Sequence, residues 1–255
     1  MKINVLGSSG SVAPGHNTAA FLIDDHLLLD AGTISISLDQ EAQFKITHIF
    51  LTHAHLDHIK GIPFLIDNFA IGKERRRLTV LSGPEVLRDL KKHIFNNRIW
   101  PDFTAIPTRE HPLLLFQELS TRGFFPLGKY RVYTTRVHHT VPAYGYLVED
   151  SLGNALAYTG DSGPTETIWK RFHGHRIKGL IVEVSFPNAL KQLALLSGHL
   201  TPGLLKEEIT KMPVLPEKIY ITHPKPLYRK TIEKELARLK GIPLEILEDG
   251  MKIVI

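Results

Sequence analysis

Between Leu51 and Gly61 the chain reads LTHAHLDHIKG, with three histidines and one aspartate inside six positions. His53 and His55 are two apart, directly after an apolar run that reads as a strand. In extended chain, residues i and i+2 share a side, so both imidazoles can face one ion. Asp57 and His58 follow, where the chain turns toward a helix through IKGIPFLIDNFA. Adjacent side chains diverge, so this pair can reach a second point close by. Imidazole and carboxylate without sulfur suit zinc, manganese or iron.

Other groups of the same chemistry end apolar runs further along. His138 and His139 end YRVYTTRVHH, Asp161 ends ALAYTGD, Glu183 lies in GLIVEVSFPN, and His223 ends KIYITH. A polar group just after a strand sits at the sheet rim, where sites are built. A structural metal needs a closed set of ligands, whereas a catalytic one keeps a position open. The recurrence of such groups around one dense motif points to the catalytic kind.

The elements that must hold these groups are legible as alternating runs. Apolar, β-branched segments at 2–7, 19–24, 26–32, 47–53 and 77–83 read as strands. So do 130–139, 144–150, 155–161, 179–185, 218–223 and 251–255. Helical periodicity is expected over 84–100, with Val86, Leu87, Leu90 and Ile94 on one face. It recurs over 188–198, which ends in a glycine suited to a C-cap, and over 201–212, which opens on a threonine N-cap and a proline. The segment 227–240 is amphipathic, with Ile232, Leu236 and Leu239 inward. Residues 101–128 hold four prolines and little periodicity, and read as a long surface connection. Both halves show strands followed by a histidine-bearing turn. Sheet against sheet with flanking helices is the natural layered solution, in one domain spanning 1–255.

Composition narrows the partners. The 255 residues are 43% apolar, enough for a sizeable core. There is no cysteine, which excludes disulfides and thiolate ligands. No run approaches the roughly 18 apolar residues of a membrane span. The first residues, MKINVLGSSG, do not read as a signal peptide, so a cytoplasmic protein is expected. The formal charge of +5 and a pI near 9.3 mildly favour anionic ligands. The basic run GKERRRL at 72–78 reads as a solvated loop, with contact to nucleic acid as the alternative.

THAHLDH resembles the His-x-His-x-Asp-His signature of the metallo-β-lactamase superfamily. LGSSGSVAPGHNTAAFLIDDHLLLDAGT resembles that superfamily's opening hairpins. VHHTVPAYGYLVE and LAYTGDSGP resemble the later ligand segments of its phosphodiesterase branch, which includes ribonuclease Z. HIFNNRIWPDFT, VEVSFPN, SGHLTP and ITHPKP look most like the class II cyclic-nucleotide phosphodiesterases. The resemblance implies an αββα sandwich of two mixed sheets with the site at the rim between them. It implies two divalent ions, zinc first and manganese or iron as alternatives. His53, His55 and His139 would hold one ion and Asp57, His58 and His223 the other. Asp161 would bridge them around a water or hydroxide that attacks phosphorus. His139 fits over His138 because it lies two after Val137 and shares its side.

The expected reaction is hydrolysis of the 3′ bond of cyclic AMP or cyclic GMP to the 5′-monophosphate. Asp57 would orient the attacking oxygen, and His199 would protonate the leaving oxygen. Glu183 would hold His199, as a Glu–His pair does in the related enzymes. Asn188, Ser185 and Thr201 are candidates for phosphate or sugar. Trp100, Phe103 and Tyr144 are candidates for stacking on a base, and Asn17 for a bond near the site. The rivals are a transfer-RNA 3′ endonuclease of the ribonuclease Z kind, a lactone or thioester hydrolase, and a non-catalytic metal-binding module. A small phosphodiester is the expected partner, with no membrane, and a homodimer is left open.

Overall fold

The computed structural model of the chain describes residues 1–72 and 76–255, so Lys73, Glu74 and Arg75 of the basic run lie outside the described residues. Among the described residues there are fourteen strands and eight α-helices.

The first sheet uses β1 (Lys2–Gly7), β2 (Ala20–Ile23), β3 (Leu27–Leu29), β4 (His48–Phe50), β5 (Leu78–Ser82) and β6 (Leu114–Glu118). The second uses β7 (Phe125–Leu127), β8 (Tyr130–Arg136), β9 (Tyr144–Glu149), β10 (Asn154–Tyr158), β11 (Arg176–Glu183), β12 (Lys218–Thr222) and β13 (Leu244–Ile246). The last strand, β14 (Lys252–Val254), returns to the first sheet beside β1. The helices are α1 (Gln40–Gln43), α2 (Leu56–Ile59), α3 (Gly61–Ile71), α4 (Pro84–Asp89), α5 (Thr167–Phe172), α6 (Lys191–Ser197), α7 (Pro202–Ile209) and α8 (Arg229–Leu236).

The two sheets repeat one plan. In the order β14-β1-β2-β3-β4-β5-β6, the first three pairings are antiparallel and the next three parallel. The order β7-β8-β9-β10-β11-β12-β13 shows the same sequence of pairings. The echo between the halves is thus visible in topology. The parallel set matters most for function. Parallel neighbours end on the same side, so β3 and β4 in one sheet, and β10, β11 and β12 in the other, deliver their carboxyl ends to a common rim.

Alternation along the strands builds the layers. Tyr146, Val148, Leu156, Tyr158, Ile181 and Tyr220 of the second sheet join the core shared with the first sheet. Their neighbours Leu147, Ala155, Ala157, Leu180, Val182, Ile219 and Ile221 face the opposite way. There they meet Ile168 and Phe172 of α5, Leu204 and Leu205 of α7, and Ile232 and Leu236 of α8. Ile62, Leu65, Ile66 and Phe69 of α3 belong to the first core.

The capping expectations hold. Thr201 accepts a hydrogen bond from Leu204 N ahead of Pro202, and Gly198 ends α6 at φ +67. Two expectations need correction. The helix over 84–100 is α only to Asp89, continues as a π-helical turn over Leu90–Ile94, and stops before Phe95. The connection 101–128 contains β6 and β7, each at the edge of its sheet. Edge strands are short and half exposed, so their apolar pattern is weak. β13, another edge strand, was not visible in the sequence for the same reason. No described helix is long and apolar enough to cross a membrane.

Asp24 ties the β1–β2 hairpin to β8. Its carboxylate accepts from Lys2 N at 2.8 Å and from the Tyr130 hydroxyl, and it pairs with Lys129 Nζ at 2.7 Å. Burial opposes its charge, but the bonds from Lys129 and Tyr130 outweigh it and hold the carboxyl well below its ordinary range. A group depressed in this way stabilises the fold above its unfolded pKa of about 3.9 and loses that contribution as pH falls below it. Asp24→Asn is expected to cost about 1–2 kcal/mol at pH 7. Urea unfolding should show the gap between the two proteins narrowing as pH falls below about 4.

Candidate metal centre

Five strand ends meet at the rim. β3 leads to Asp30, β4 to the 52–58 segment, β10 to Asp161, β11 ends in Glu183, and β12 leads to His223. The segment after β8 adds His139. Asp30 and His223 adopt φ +57 and +65, a left-handed backbone uncommon for residues other than glycine. Such conformations persist where surrounding structure enforces them, and they concentrate at functional sites.

The imidazole nitrogens converge. His53 Nε2 lies 3.0 Å from His55 Nδ1, and His139 Nε2 lies 3.3 Å from the same atom. A second group forms beside it. His223 Nε2 is 3.3 Å from Asp57 Oδ2 and 3.3 Å from Asp161 Oδ2. His58 Nε2 is 3.4 Å from Asp161 Oδ1 and 3.9 Å from Asp57 Oδ2. Asp161 also lies 3.8 Å from His53, so it stands between the two groups. The structure therefore brings together all seven expected ligand residues. His53, His58, Asp161 and His223 are buried, while His55, Asp57 and His139 form the open side. His138 is exposed, and among the described residues its carbonyl accepts from Gly163 N.

Outer hydrogen bonds fix how the rings present themselves. His58 Nδ1 donates to Asp30 Oδ2 at 2.7 Å, and His139 Nδ1 donates to Gly198 O at 2.9 Å. A side chain at Gly198 would meet His139 Nδ1 at 2.9 Å, so glycine permits this approach. Thr52 Oγ1 gives its proton to Asp30 and is left to accept from His53 Nδ1, at 2.9 Å. Ser185 Oγ gives its proton to Glu183 and accepts from His223 Nδ1, at 2.8 Å. Four rings thus turn Nε2 lone pairs inward, the orientation a metal-binding histidine requires.

The protonation tendencies follow. Burial and the neighbouring His58 push His53 well below its ordinary value. Burial opposes charge on His58 too, but Asp161 and Asp30 raise it well above the usual range. Asp161 is held low despite burial, first by the charge of His223 and of His58. Burial works against the Asp57 carboxylate, and the hydrogen bond from His223 with the charge of His58 overcomes it.

These residues fit divalent ions. His58 Nε2 is buried with no hydrogen-bond partner among the described residues, and it faces two carboxylates. Four groups of three His or Asp side chains have ligand atoms within 4.8 Å of one another: His53, His55 and His139; His53, His58 and Asp161; Asp57, His58 and His223; and Asp161, His199 and His223. The last group places His199 near ligand distance as well.

Glu183 and His199 form a separate pair at the edge. His199 Nδ1 donates to Glu183 Oε1 at 2.7 Å, and its ring is 4.0 Å from Asp161. Glu183 is fully buried and also accepts from Ser162 N, Ser185 Oγ and Leu200 N. Burial opposes charge on His199, but the charge of Glu183 and its hydrogen bond raise the ring above its ordinary value.

Of the candidate contact residues, Ser185 lies at the site. Thr201 caps α7, Asn188 Oδ1 accepts from Gly203 N, and Asn17 bonds Asp249 and Leu6 O. The aromatics serve packing. Trp100 stacks edge-on with Phe64 at 5.4 Å, Phe103 is buried, and Tyr144 is buried and donates to Glu85. Asp30 was missed in the sequence. It follows the apolar run HLLL as Asp161 follows ALAYTG, and the same rule would have found it.

A model of the beta-lactamase superfamily domain matches residues 27–223, and the chain belongs to that family. A protein of Yersinia pestis named "Probable 3′,5′-cyclic-nucleotide phosphodiesterase" is 27% identical over 95% of this chain and 78% of its own. A ribonuclease Z of Metallosphaera sedula is 29% identical over 59% of this chain and 49% of its own. Unliganded yeast PDE1 superposes with a TM-score of 0.84 at 21% identity, covering 100% of this chain and 99% of that one. The fold is the metallo-β-lactamase sandwich.

Asp30 gives the sharpest structural prediction. Asp30→Ala strips the acceptor from Thr52 N, Thr52 Oγ1, His58 Nδ1 and the Tyr158 hydroxyl, all buried. Loss of about 3–5 kcal/mol in urea unfolding is expected. A loss under 1 kcal/mol would show that these groups find other partners.

Proposed function

We propose that the chain is a phosphodiesterase that uses two divalent ions, zinc first among the candidates, to hydrolyse the 3′ bond of a 3′,5′-cyclic nucleotide to the 5′-monophosphate. The observation that carries this reading is the buried Glu183–His199 pair beside the histidine and aspartate cluster. In this reading His53, His55 and His139 would hold one ion and Asp57, His58 and His223 the other, with Asp161 standing between the two groups as a ligand available to either. Bound there, the ions would supply Lewis acidity and a water of lowered pKa. Asp57 is the most open carboxylate of the cluster, with 28% of its side chain exposed, and it accepts a hydrogen bond that orients the attacking water. His199 gives its Nε2 proton to the leaving 3′ oxygen, because Nδ1 is held by Glu183. Glu183 accepts Nδ1–H throughout and supports the imidazolium before transfer. The ribonuclease Z relatives make precursor transfer RNA the necessary control. A panel of cyclic AMP, cyclic GMP, bis(p-nitrophenyl) phosphate, precursor transfer RNA and a lactone separates the readings.

Metal analysis of the purified protein should find two equivalents per chain, and chelation should abolish turnover. Asp161→Ala should lose one equivalent and nearly all activity while remaining folded, since among the described residues the Asp161 carboxylate meets histidine side chains of the cluster rather than core strands. Well under one equivalent in the parent, with activity indifferent to chelator, would refute the assignment.

His199→Ala should lower kcat on a cyclic nucleotide by roughly 10²–10⁴-fold with both metals retained. A p-nitrophenyl ester has a good leaving group that needs little protonation, so its loss should be much smaller. Glu183→Gln should show the same dependence, more weakly. Equal losses on both substrates would contradict the acid role. Loss of a metal equivalent in His199→Ala would move that ring into the ligand set.

A further inference from the structure

A cleft of about 260 Å³ lies directly beside the metal centre, and His55 belongs to both. Its walls are apolar, with Leu56 and Ile59 from α2, Leu90 and Ile94 from the π-helical turn, and Pro142 from the loop after His139. Besides His55, two polar side chains stand among them, Asp89 and His93. Asp89 is half-buried and makes no hydrogen bond or ion pair among the described residues. Its carboxylate is therefore free for a ligand.

The backbone at this wall is unusual in a second way. Helix α4 gives way to the π-helical turn Leu90–Ile94 immediately after Asp89. π-helical turns are rare, and those that occur are frequently at functional sites. The fold keeps this turn where it sets Asp89, Leu90 and His93 along one cleft.

We propose that this cleft receives the base of the cyclic nucleotide and that Asp89 selects guanine over adenine, an inference that rests on the phosphodiesterase reading above. Three physical points carry it. Only a ribose separates the base from the reacting phosphorus, so its pocket must share a wall with the metal centre, as this one does at His55. Pockets for drug-sized ligands span about 300–1,000 Å³, and a volume just below that range suits one planar ring system between apolar walls. The free carboxylate then decides between purines. Guanine presents N1–H and N2–H₂ side by side, two donors that one carboxylate accepts together. Adenine presents N6–H₂ flanked by acceptor nitrogens, whose lone pairs oppose a carboxylate. His93 gives the same wall a donor for O6.

The test compares the two purines on the metal-loaded protein, by steady-state kinetics and by calorimetric binding of 5′-GMP and 5′-AMP. The parent should prefer cyclic GMP in kcat/KM. Asp89→Ala should weaken cyclic GMP by roughly 10- to 100-fold, the range for a hydrogen bond to a charged group, mainly through KM. The loss on cyclic AMP should be several-fold smaller, and 5′-GMP binding should fall in parallel. Asp89→Asn, whose amide pairs with adenine's N6 and N7, should move the preference toward cyclic AMP. Unchanged metal content and thermal unfolding in both variants would exclude misfolding as the cause. Equal losses on the two purines, or none, would overturn the role of Asp89 while leaving the phosphodiesterase reading in place. A parent protein that cleaves bis(p-nitrophenyl) phosphate but neither turns over nor binds either nucleotide would overturn the cyclic-nucleotide reading, and this inference with it, while leaving a phosphodiesterase of another substrate.

Discussion

The Asp30 carboxylate is the interaction on which the site depends. It is fully buried, and it gathers donors from both sheets: Thr52 and His58 after β4, and the Tyr158 hydroxyl at the end of β10. A buried carboxylate is tolerated only when its lone pairs are satisfied. Here the requirement itself draws the two sheets together at the rim, and the charge orients the His58 ring of the candidate metal centre. The Tyr158 hydroxyl is pushed well above its ordinary pKa, by burial first and then by the charge of Asp30, so it remains a donor.

The same logic extends outward through hydroxyl groups. Thr52 and Ser185 each own one proton and each spend it on a carboxylate, Asp30 and Glu183 respectively. Each oxygen is then obliged to accept from a histidine Nδ1. Two buried acids thereby set the direction of rings they do not touch. Ser185 also lies 3.3 Å from His199 Nδ1, which joins the expected proton donor to the network that holds His223. A change at one acid should consequently be felt in both halves of the site.

The repeated topology explains why the centre is shared. Each sheet has three antiparallel and then three parallel pairings, and the parallel strands of both end at one rim. β4 supplies the dense motif, while β10, β11 and β12 supply isolated acids and a histidine. Neither sheet alone carries a complete set. The free energy that holds the sheets face to face, from side chains such as Phe50, Tyr146 and Tyr158, is therefore also what assembles the site. The π-helical turn after α4 adds a cleft on the open side, beside His55.

His53, His55, Asp57 and His58 were legible because one continuous segment carries them, and the spacing of a strand running into a helix dictates where its side chains point. The eleven strands read from apolar runs, and the caps at Thr201 and Gly198, depend on neighbours in sequence and were likewise visible. His139, Asp161, Glu183 and His223 could be picked as strand ends, and their grouping came from resemblance. Only tertiary structure decided the rest. β6, β7 and β13 are edge strands whose form comes from a partner, and the helix after Pro84 widens at Leu90 instead of continuing to Trp100. Asp30 acquires its role from Tyr158, 128 positions away, and the inward lone pairs follow from hydroxyls and carbonyls brought in by other strands. Periodicity records which way a side chain faces along its own element. Which atom it meets depends on how the elements pack, and that is fixed by the burial of both sheets at once.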